Sequence, residues 1–296
     1  MFFWGNHVYW KVLLLPLKLV ISGLQKVVNY SLLYIENMNN IYQRLSWAVR
    51  YFENCLSIFV YWCGQFQKLR GPNYKFVVNY KSNNNCLLAQ LCTKYGSDKW
   101  AIYHSSTSFE RPYNWEPHTY TDYYSRLFSH CRQEIKSVFE CWLGTNNEKL
   151  PSSMGKNGKP WASLRVWRDY FPNADIFGVD IDKDILFQEE RIRTFYIDQR
   201  DPVSINLFWE KIKNIEFDFM VDDWLHTFDA AICLFQNCVW HLGVNGIYVI
   251  EDVRLADLWK YKIFFNDKNY IVDYVKLFGP NTNSWGNNLV VIRKNI

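Results

Sequence analysis

From residue 86 onward, short apolar runs alternate with segments of helical spacing, and no other feature of the sequence restricts the fold as much. The apolar runs predict strands at 137–141, 175–179, 217–221, 246–250 and 289–293, and the helical spacing predicts helices at 162–170 and 233–242. Strands that alternate with helices form a parallel sheet covered on both faces. The predicted fold class is therefore α/β, a doubly wound, Rossmann-like and mostly parallel sheet.

Residues 1–80 differ in texture from the rest of the chain. They contain few Gly or Pro residues, and their apolar residues recur at helical spacing, which predicts a helical N-terminal extension preceding a domain at 86–296. The apolar runs at 12–24 and 55–63 are too short to span a bilayer comfortably. Two interpretations stay open: residues 1–70 contact a membrane surface or a partner as amphipathic helices, or they pack on the catalytic domain.

Charge and cysteine usage limit the partners and the compartment. The net charge is only +4, without a dense basic run, which argues against a nucleic-acid partner. The eight cysteines form no CxxC pair and no zinc-finger spacing, which favours free thiols in a reducing compartment. We expect a cytoplasmic protein, either free or peripheral to the inner face of the membrane. Its expected substrate is a small molecule or a glycan, and the sequence does not indicate an oligomeric state.

Acidic residues close the predicted strands. In an open parallel sheet, ligands bind beyond the carboxyl ends of the strands. Glu140 lies in the first strand, and Asp180 follows the second, where a carboxylate can accept two hydrogen bonds from a ribose diol. Folds that bind NAD share this feature, but the GxGxxG fingerprint is absent, which argues against a dehydrogenase.

A more specific group follows the third and fourth strands. Asp223, His226, Glu251 and Asp252 supply three carboxylates and an imidazole. Carboxylate oxygens from two neighbouring strand ends can hold one Mg²⁺ and leave positions open for substrate hydroxyls. A metal-bound hydroxyl is acidified, and a nearby imidazole can take its proton. The alternative is that the acids keep the sheet edge soluble and that His226 caps a loop.

Several segments resemble one bacterial methyltransferase family. They are Tyr-Gly-Ser-Asp-Lys at 95–99, His-Thr-Tyr at 118–120, Tyr-Tyr at 123–124, Ser163 to Ala174, Ile176 to Asp182, Arg191-Ile192, and Asp198-Gln199. These segments, spread in order over roughly residues 92–255, resemble class I S-adenosylmethionine-dependent O-methyltransferases. That family includes the macrolide-sugar O-methyltransferases of the macrocin and mycinamicin type.

The resemblance implies an activity, two cofactors and a set of site residues. It implies Mg²⁺-assisted methyl transfer from S-adenosylmethionine to a sugar hydroxyl of a glycan, glycolipid or glycosylated metabolite. The residues that would line the cofactor site are Glu140, Gly144, Ser163, Asp180, Asp198 and Gln199. Asp223, Glu251 and Asp252 would bind Mg²⁺, and His226 would be the general base.

The sequence departs from this family at four motif glycines. Trp100, Trp142, Trp161 and Trp224 stand where the family has glycine, and the chain has 14 Trp against 13 Gly. A motif glycine often has a positive φ and lets backbone approach the cofactor, so an indole at 142 should occupy cofactor space. Our hypothesis is that these four codons are UGA read as glycine; UGG codons would refute it.

Two alternatives to sugar methylation stay open. One is an O-methyltransferase that acts on another hydroxylated acceptor, such as a catechol-like ring. The other is a catalytically impaired Rossmann-like domain that serves as an interaction module. Calorimetry with S-adenosylhomocysteine separates the module from the enzymes, because a module with Trp142 in its pocket should not bind it.

Overall fold

The computed structural model describes residues 86–100, 118–277 and 286–295. The predicted helical extension at 1–80, with its proposed membrane or partner contact, lies outside these described residues. Within them, no helix combines the length and the apolar character needed to cross a membrane.

Eight strands form one mixed sheet. They are β1 (Ser137–Cys141), β2 (Asp175–Asp180), β3 (Gln188–Glu189), β4 (Ile192–Tyr196), β5 (Phe217–Asp222), β6 (Leu242–Ile250), β7 (Tyr270–Lys276) and β8 (Asn288–Lys294). Their order in the sheet is β3-β4-β2-β1-β5-β6-β8-β7. The five central strands, from β4 to β6, are mutually parallel, whereas β3, β8 and β7 pair antiparallel at the two edges.

Within the described residues, six α-helices connect the strands or precede the sheet. They are α1 (Leu87–Tyr95), α2 (Tyr120–Phe128), α3 (Ala162–Tyr170), α4 (Pro202–Lys211), α5 (Phe228–Cys238) and α6 (Leu258–Phe265). Alternate residues of one strand belong to two separate apolar clusters: Val138 of β1 packs in one cluster and its neighbour Phe139 in the other. The sheet is therefore covered on both faces, which explains why all five residues of β1 are buried.

The strand order reverses next to β1. The chain proceeds outward from β1 through β2 to β4 and then returns to place β5 on the other side of β1. A crevice opens at such a switch point, beyond the carboxyl ends of the strands. The carboxyl ends of β1 and β5 are therefore where the fold predicts a ligand.

The predicted fold class is confirmed: the sheet is mostly parallel and doubly wound. The helix predicted at 233–242 is wrong in its bounds, because α5 covers Phe228–Cys238 and is followed by a 3₁₀ turn at Val239–His241. Trp240 in this turn is 77% exposed. Leu242, assigned to the helix by the sequence pattern, instead begins β6 and pairs with Phe217.

Candidate active site

Backbone pairing places acidic side chains together at the carboxyl edge of the sheet. Asp223 N–H donates to the carbonyl of Cys141 (3.2 Å), and Glu251 N–H donates to that of Asp222 (2.9 Å). These bonds continue the pairing of β1, β5 and β6 by one residue beyond the strands. The residues that follow β5 and β6 are thereby held side by side at the switch point.

Asp223, His226 and Asp252 form a cluster at this edge. One ligand atom from each lies within 4.8 Å of the others. His226 Nε2 is 3.5 Å from Asp252 Oδ2, and its side chain is 31% exposed. Both His226 (φ 50°) and Asp252 (φ 52°) have a left-handed backbone, which residues of their types adopt more readily than bulky ones. The structure therefore brings together three of the four predicted metal and base residues.

Asp252 is also held from the helical side of the site. The Tyr120 hydroxyl donates to Asp252 Oδ1, and His118 Nδ1 lies 3.2 Å from the same oxygen. Burial acts to raise the pKa of Asp252, but the neighbouring His118 and His226 lower it below its ordinary value. Asp252 is therefore an ionised carboxylate at neutral pH.

Glu251 faces a different group. The buried ammonium of Lys99 bonds its Oε2, and the Tyr124 hydroxyl donates to its Oε1. Lys99 Nζ also lies 2.7 Å from Asp223 Oδ2 and 3.3 Å from Glu140 Oε1. Although burial disfavours the ammonium, the three carboxylates hold the pKa of Lys99 well above its usual range. Burial raises the pKa of Glu251 and of Glu140, and Lys99 opposes this.

Sequence reasoning gave no role to Lys99, Tyr120 and Tyr124, although all three lie in segments that carry the resemblance. Lys99 is 2% exposed and contacts carboxylates 124 and 152 residues further along the chain. The spacing of polar and apolar residues in a sequence does not show whether a lysine is buried or exposed. The one available signal was the aromatic run of α2, whose tyrosines are buried.

The donor set fits a Mg²⁺ ion in part. Asp223 and Asp252 offer the carboxylate oxygens that Mg²⁺ prefers, and one oxygen of each lies within 4.8 Å of the other and of His226. The third predicted ligand, Glu251, is bound by Lys99 and Tyr124. Asp223 also contacts Lys99, and Asp252 contacts Tyr120 and His118, so a metal held by Asp223 and Asp252 would share each carboxylate with these partners.

A cleft beside this cluster is the candidate cofactor site. Gly144 and Ser163, two of the six predicted cofactor residues, line it together with Trp142 and Lys99. Gly144 has a φ of +79°, and a Cβ there would lie 2.2 Å from Met154 Sδ. Glycine is thus required at 144. The cavity volume of the cleft is only about 10 Å³, whereas ligand pockets occupy about 300–1,000 Å³.

The other predicted cofactor residues are engaged within the protein. Asp180 accepts hydrogen bonds from the backbone of Leu143 and of Asp182, both at 2.8 Å, and is fully buried. Burial raises its pKa to about 6. Gln199 donates to Asp222 (2.5 Å) and accepts from the backbone of Leu225, while Asp198 pairs with Arg200. Their assignment to the cofactor stays a prediction.

Trp142 itself occupies the cleft. Its side chain is 9% exposed, and its ring lies edge-on to His226, with 6.4 Å between ring centroids. The buried Nε1 has no hydrogen-bond partner among the described residues. As the cleft stands, with the indole in it, it does not fit a cofactor of the size of S-adenosylmethionine.

Comparison with characterised proteins identifies several sugar-modifying relatives. No protein-family model matches the chain. The chain is 31% identical over 169 residues to 8-demethyl-8-alpha-L-rhamnosyl tetracenomycin-C 2'-O-methyltransferase of Streptomyces olivaceus, a match that covers 57% of this chain and 38% of that protein. It is 29% identical over 171 residues to demethylmacrocin O-methyltransferase of Streptomyces fradiae, covering 57% and 37%. The chain thus spans less than two fifths of the length of these curated relatives.

A solved structure with a similar fold is a methyltransferase, MycE, of the mycinamycin biosynthetic pathway, in complex with Mg, SAH and mycinamycin VI. The two chains superpose with a TM-score of 0.50 at 23% identity, over 70% of this chain and 54% of that one. This likeness establishes the fold, and the curated relatives establish the similarity in sequence. The chain therefore has the class I methyltransferase fold and resembles, over its matched residues, the macrocin- and mycinamicin-type sugar O-methyltransferases.

Proposed function

We propose that this protein is an S-adenosylmethionine-dependent, Mg²⁺-assisted O-methyltransferase whose acceptor is a sugar hydroxyl of a small glycosylated molecule. The observation that carries the proposal is the cluster of Asp223, His226 and Asp252 at the switch point of the sheet. Methylation of a hydroxyl needs a base and a means of stabilising the alkoxide, and this cluster offers both. The sugar O-methyltransferases that the chain matches in sequence support the same chemistry and suggest the acceptor class.

In this proposal the acceptor half of the site is built from residues of β5 and β6 and their loops. Asp223 and Asp252 would hold Mg²⁺, which would supply Lewis-acid acidification of the acceptor hydroxyl. His226 Nε2 faces the same space and takes the proton of the acceptor hydroxyl. Tyr120 and His118 hold Asp252 in place from the opposite side.

The interaction module remains the competing function, and one observation favours it. Trp142 lines the cleft where the cofactor would bind and is nearly buried, which is what a domain that has lost its cofactor would show. Against it, the base and both carboxylates of the acceptor half are present and close together. A module has no need of this arrangement.

Transfer of a radiolabelled methyl group tests the proposal. The chain and its Trp142→Gly variant are each incubated with methyl-labelled S-adenosylmethionine, Mg²⁺ and a panel of simple L-rhamnosides, with catechol as a non-sugar acceptor. We expect labelled rhamnoside from Trp142→Gly, lost on chelation of Mg²⁺ and reduced at least about 100-fold by adding His226→Ala, the usual contribution of a general base.

His241→Ala is the matched control, because His241 stacks on Trp209, outside the cluster. It should leave the rate unchanged. Transfer to catechol but to no rhamnoside would replace the sugar acceptor with an aromatic one. A Trp142→Gly protein that binds the cofactor and transfers nothing to any acceptor would refute the enzyme in favour of the module.

A further inference from the structure

Two tryptophans have a backbone conformation that tryptophan rarely adopts. Trp142 has a φ of 98° and Trp161 a φ of 66°. Only a few per cent of non-glycine residues have a positive φ, mostly Asn, Asp and His, and a bulky residue there is an outlier. Two of the eight tryptophans in the described part of the chain have it. Glycine is the residue that adopts it at no steric cost.

The strain is imposed by hydrogen bonds on both sides of the cleft. Trp142 N–H donates to the carbonyl of Val179 (2.8 Å), which joins the turn after β1 to β2. Trp161 N–H donates to the carbonyl of Leu143 (2.7 Å), which joins the N-terminus of α3 to the same turn. The backbone at both positions is therefore fixed by the fold, and the side chain is not what sets its conformation.

The indole of Trp161 makes several contacts: its ring centroid lies 5.3 Å from that of Phe187, and the Arg165 guanidinium lies 5.7 Å from it. The indole of Trp142 gains less. The Nε1 atom of Trp142 is buried without a hydrogen-bond partner among the described residues, which costs free energy. Trp161 donates to the Ile185 carbonyl and is only partly buried. The Nε1 atom of Trp167 is also buried without a partner among the described residues, so the backbone is what separates Trp167 from Trp142: Trp167 lies within α3, is fully buried and has no positive φ. It is an ordinary core residue. Trp100 and Trp224 also have no positive φ, so the backbone argument does not extend to them.

We infer that residues 142 and 161 are glycine in the working protein, and that residue 142 decides whether the cleft admits its cofactor. The excess of tryptophan over glycine, 14 against 13, fits codons written as tryptophan that the cell reads as glycine. The codon concerned is UGA, which can be translated as tryptophan or as glycine. Removing the indole of Trp142 would open the cleft between Gly144, Ser163 and Asp223. This second half of the inference rests on the proposed function, whereas the identity of the residues does not.

The identity of residues 142 and 161 is tested without any assay of activity. Mass spectrometry of the peptides of the protein isolated from its own cells should show glycine at both positions, and the gene should carry UGA there. Trp167 should be found as tryptophan in the same digest. Tryptophan at 142 and 161 in these peptides, or UGG in the gene, would overturn the inference.

Calorimetric titration with S-adenosylhomocysteine tests the role of residue 142. We expect Trp142→Gly to bind it at least about 100-fold more tightly than the chain with tryptophan, because a buried indole no longer has to leave the cleft. Trp142→Phe, which keeps a ring there, should stay weak. Trp240→Gly is the matched control, since Trp240 is 77% exposed and does not line the cleft.

The outcomes separate the two proposals. Equal binding by Trp142→Gly, Trp142→Phe and the unchanged chain would overturn the role of residue 142. If Trp142→Gly does not fold, the peptide masses still decide whether glycine is the natural residue. If it binds S-adenosylhomocysteine tightly and transfers no methyl group, this inference stands and the proposed function fails.

Discussion

At the scale of single residues, the fold holds Trp142 and Trp161 at a positive φ, which is unfavourable for a tryptophan side chain. Because the conformation is set by neighbouring hydrogen bonds, it persists when the side chain is changed. Glycine should therefore be more stabilising than alanine at these two positions, whereas alanine should be more stabilising at an ordinary helical position. Alanine has a Cβ that a positive φ disfavours, whereas in a helix glycine is the poorer residue.

Paired substitutions at three tryptophans check this reversal. We expect the free energy of unfolding of Trp142→Gly and of Trp161→Gly to be about 1 kcal/mol higher than that of the corresponding alanine variant. At Trp167, inside α3, the alanine variant should be the more stable by a similar amount. Urea unfolding measures all six variants. The same sign at all three positions would contradict the assignment of 142 and 161 as glycine positions.

Lys99 is the residue on which the acidic site depends for charge balance. Its ammonium contacts Glu140, Asp223 and Glu251, all buried. In Lys99→Met these carboxylates lose their shared cation, so we expect the free energy of unfolding to fall by about 3–5 kcal/mol at neutral pH. The loss should be smaller at pH 5 than at pH 8, because protonation of the carboxyls relieves the uncompensated charge.

Lys94→Met is the control for this prediction. Lys94 pairs with Asp169 on the surface, and its side chain is 58% exposed. Its replacement should change urea unfolding little at either pH. If Lys99→Met and Lys94→Met destabilise the protein to the same small extent, Lys99 does not balance the buried carboxylates.

At the scale of secondary-structure elements, α4 begins with an Asp-Pro sequence that is typical of a helix N-cap. Asp201 accepts a hydrogen bond from Val203 N–H (3.0 Å), and Pro202 occupies the first turn. We expect Asp201→Ala to lower the free energy of unfolding by about 1 kcal/mol, because it removes the acceptor. Asp201→Ser keeps an acceptor and should recover most of the loss. Equal losses in both variants would mean that the cap contributes nothing measurable.

The elements also show what the sequence could predict. The bounds of β1 and α3 agree with prediction because β1 has an apolar Val-Phe centre and is buried throughout, and α3 has one clear apolar face. β4 and α6 were not predicted, for physical reasons. In β4, Arg193 interrupts a short run, and its side chain is half-exposed at the sheet surface. α6 is apolar nearly all round, and Ile263 is 67% exposed, so no single face marks it as a helix.

The candidate site was predictable only in the parts that follow strand order. Asp223 directly follows β5 and Asp252 is the second residue after its parallel neighbour β6, so their proximity follows from topology. The contact of Lys99 with Glu251 depends on how the segment after α1 packs over the sheet, which no local pattern encodes. For the same reason, the sequence could not indicate that Asp180 and Gln199 bond to other parts of the protein.

Across the whole molecule, the fold collects acidic side chains at one edge of a buried sheet, and this concentration should make stability depend on pH. Asp222 ends β5, is fully buried, and its Oδ2 has no hydrogen-bond partner among the described residues. Burial, together with the adjacent charge of Asp223, raises the pKa of Asp222 to about 7. The unfolded chain has the ordinary value of about 3.9. Between these values the folded state binds more protons than the unfolded state, so the free energy of unfolding falls as the pH rises.

Asp222→Asn removes this titration while keeping an oxygen that can accept from Gln199. Relative to the unchanged chain, the variant should therefore gain stability steadily from about pH 4 to about pH 7 and then level off. The gain should be on the order of 1.4 kcal/mol for each unit of pKa shift. Asp175→Asn is the control: it removes a half-exposed carboxylate at the start of β2, away from the acidic edge, and should show a far smaller change. Urea unfolding at several pH values measures the difference, and a difference that is constant with pH would mean that Asp222 is already ionised in the folded protein.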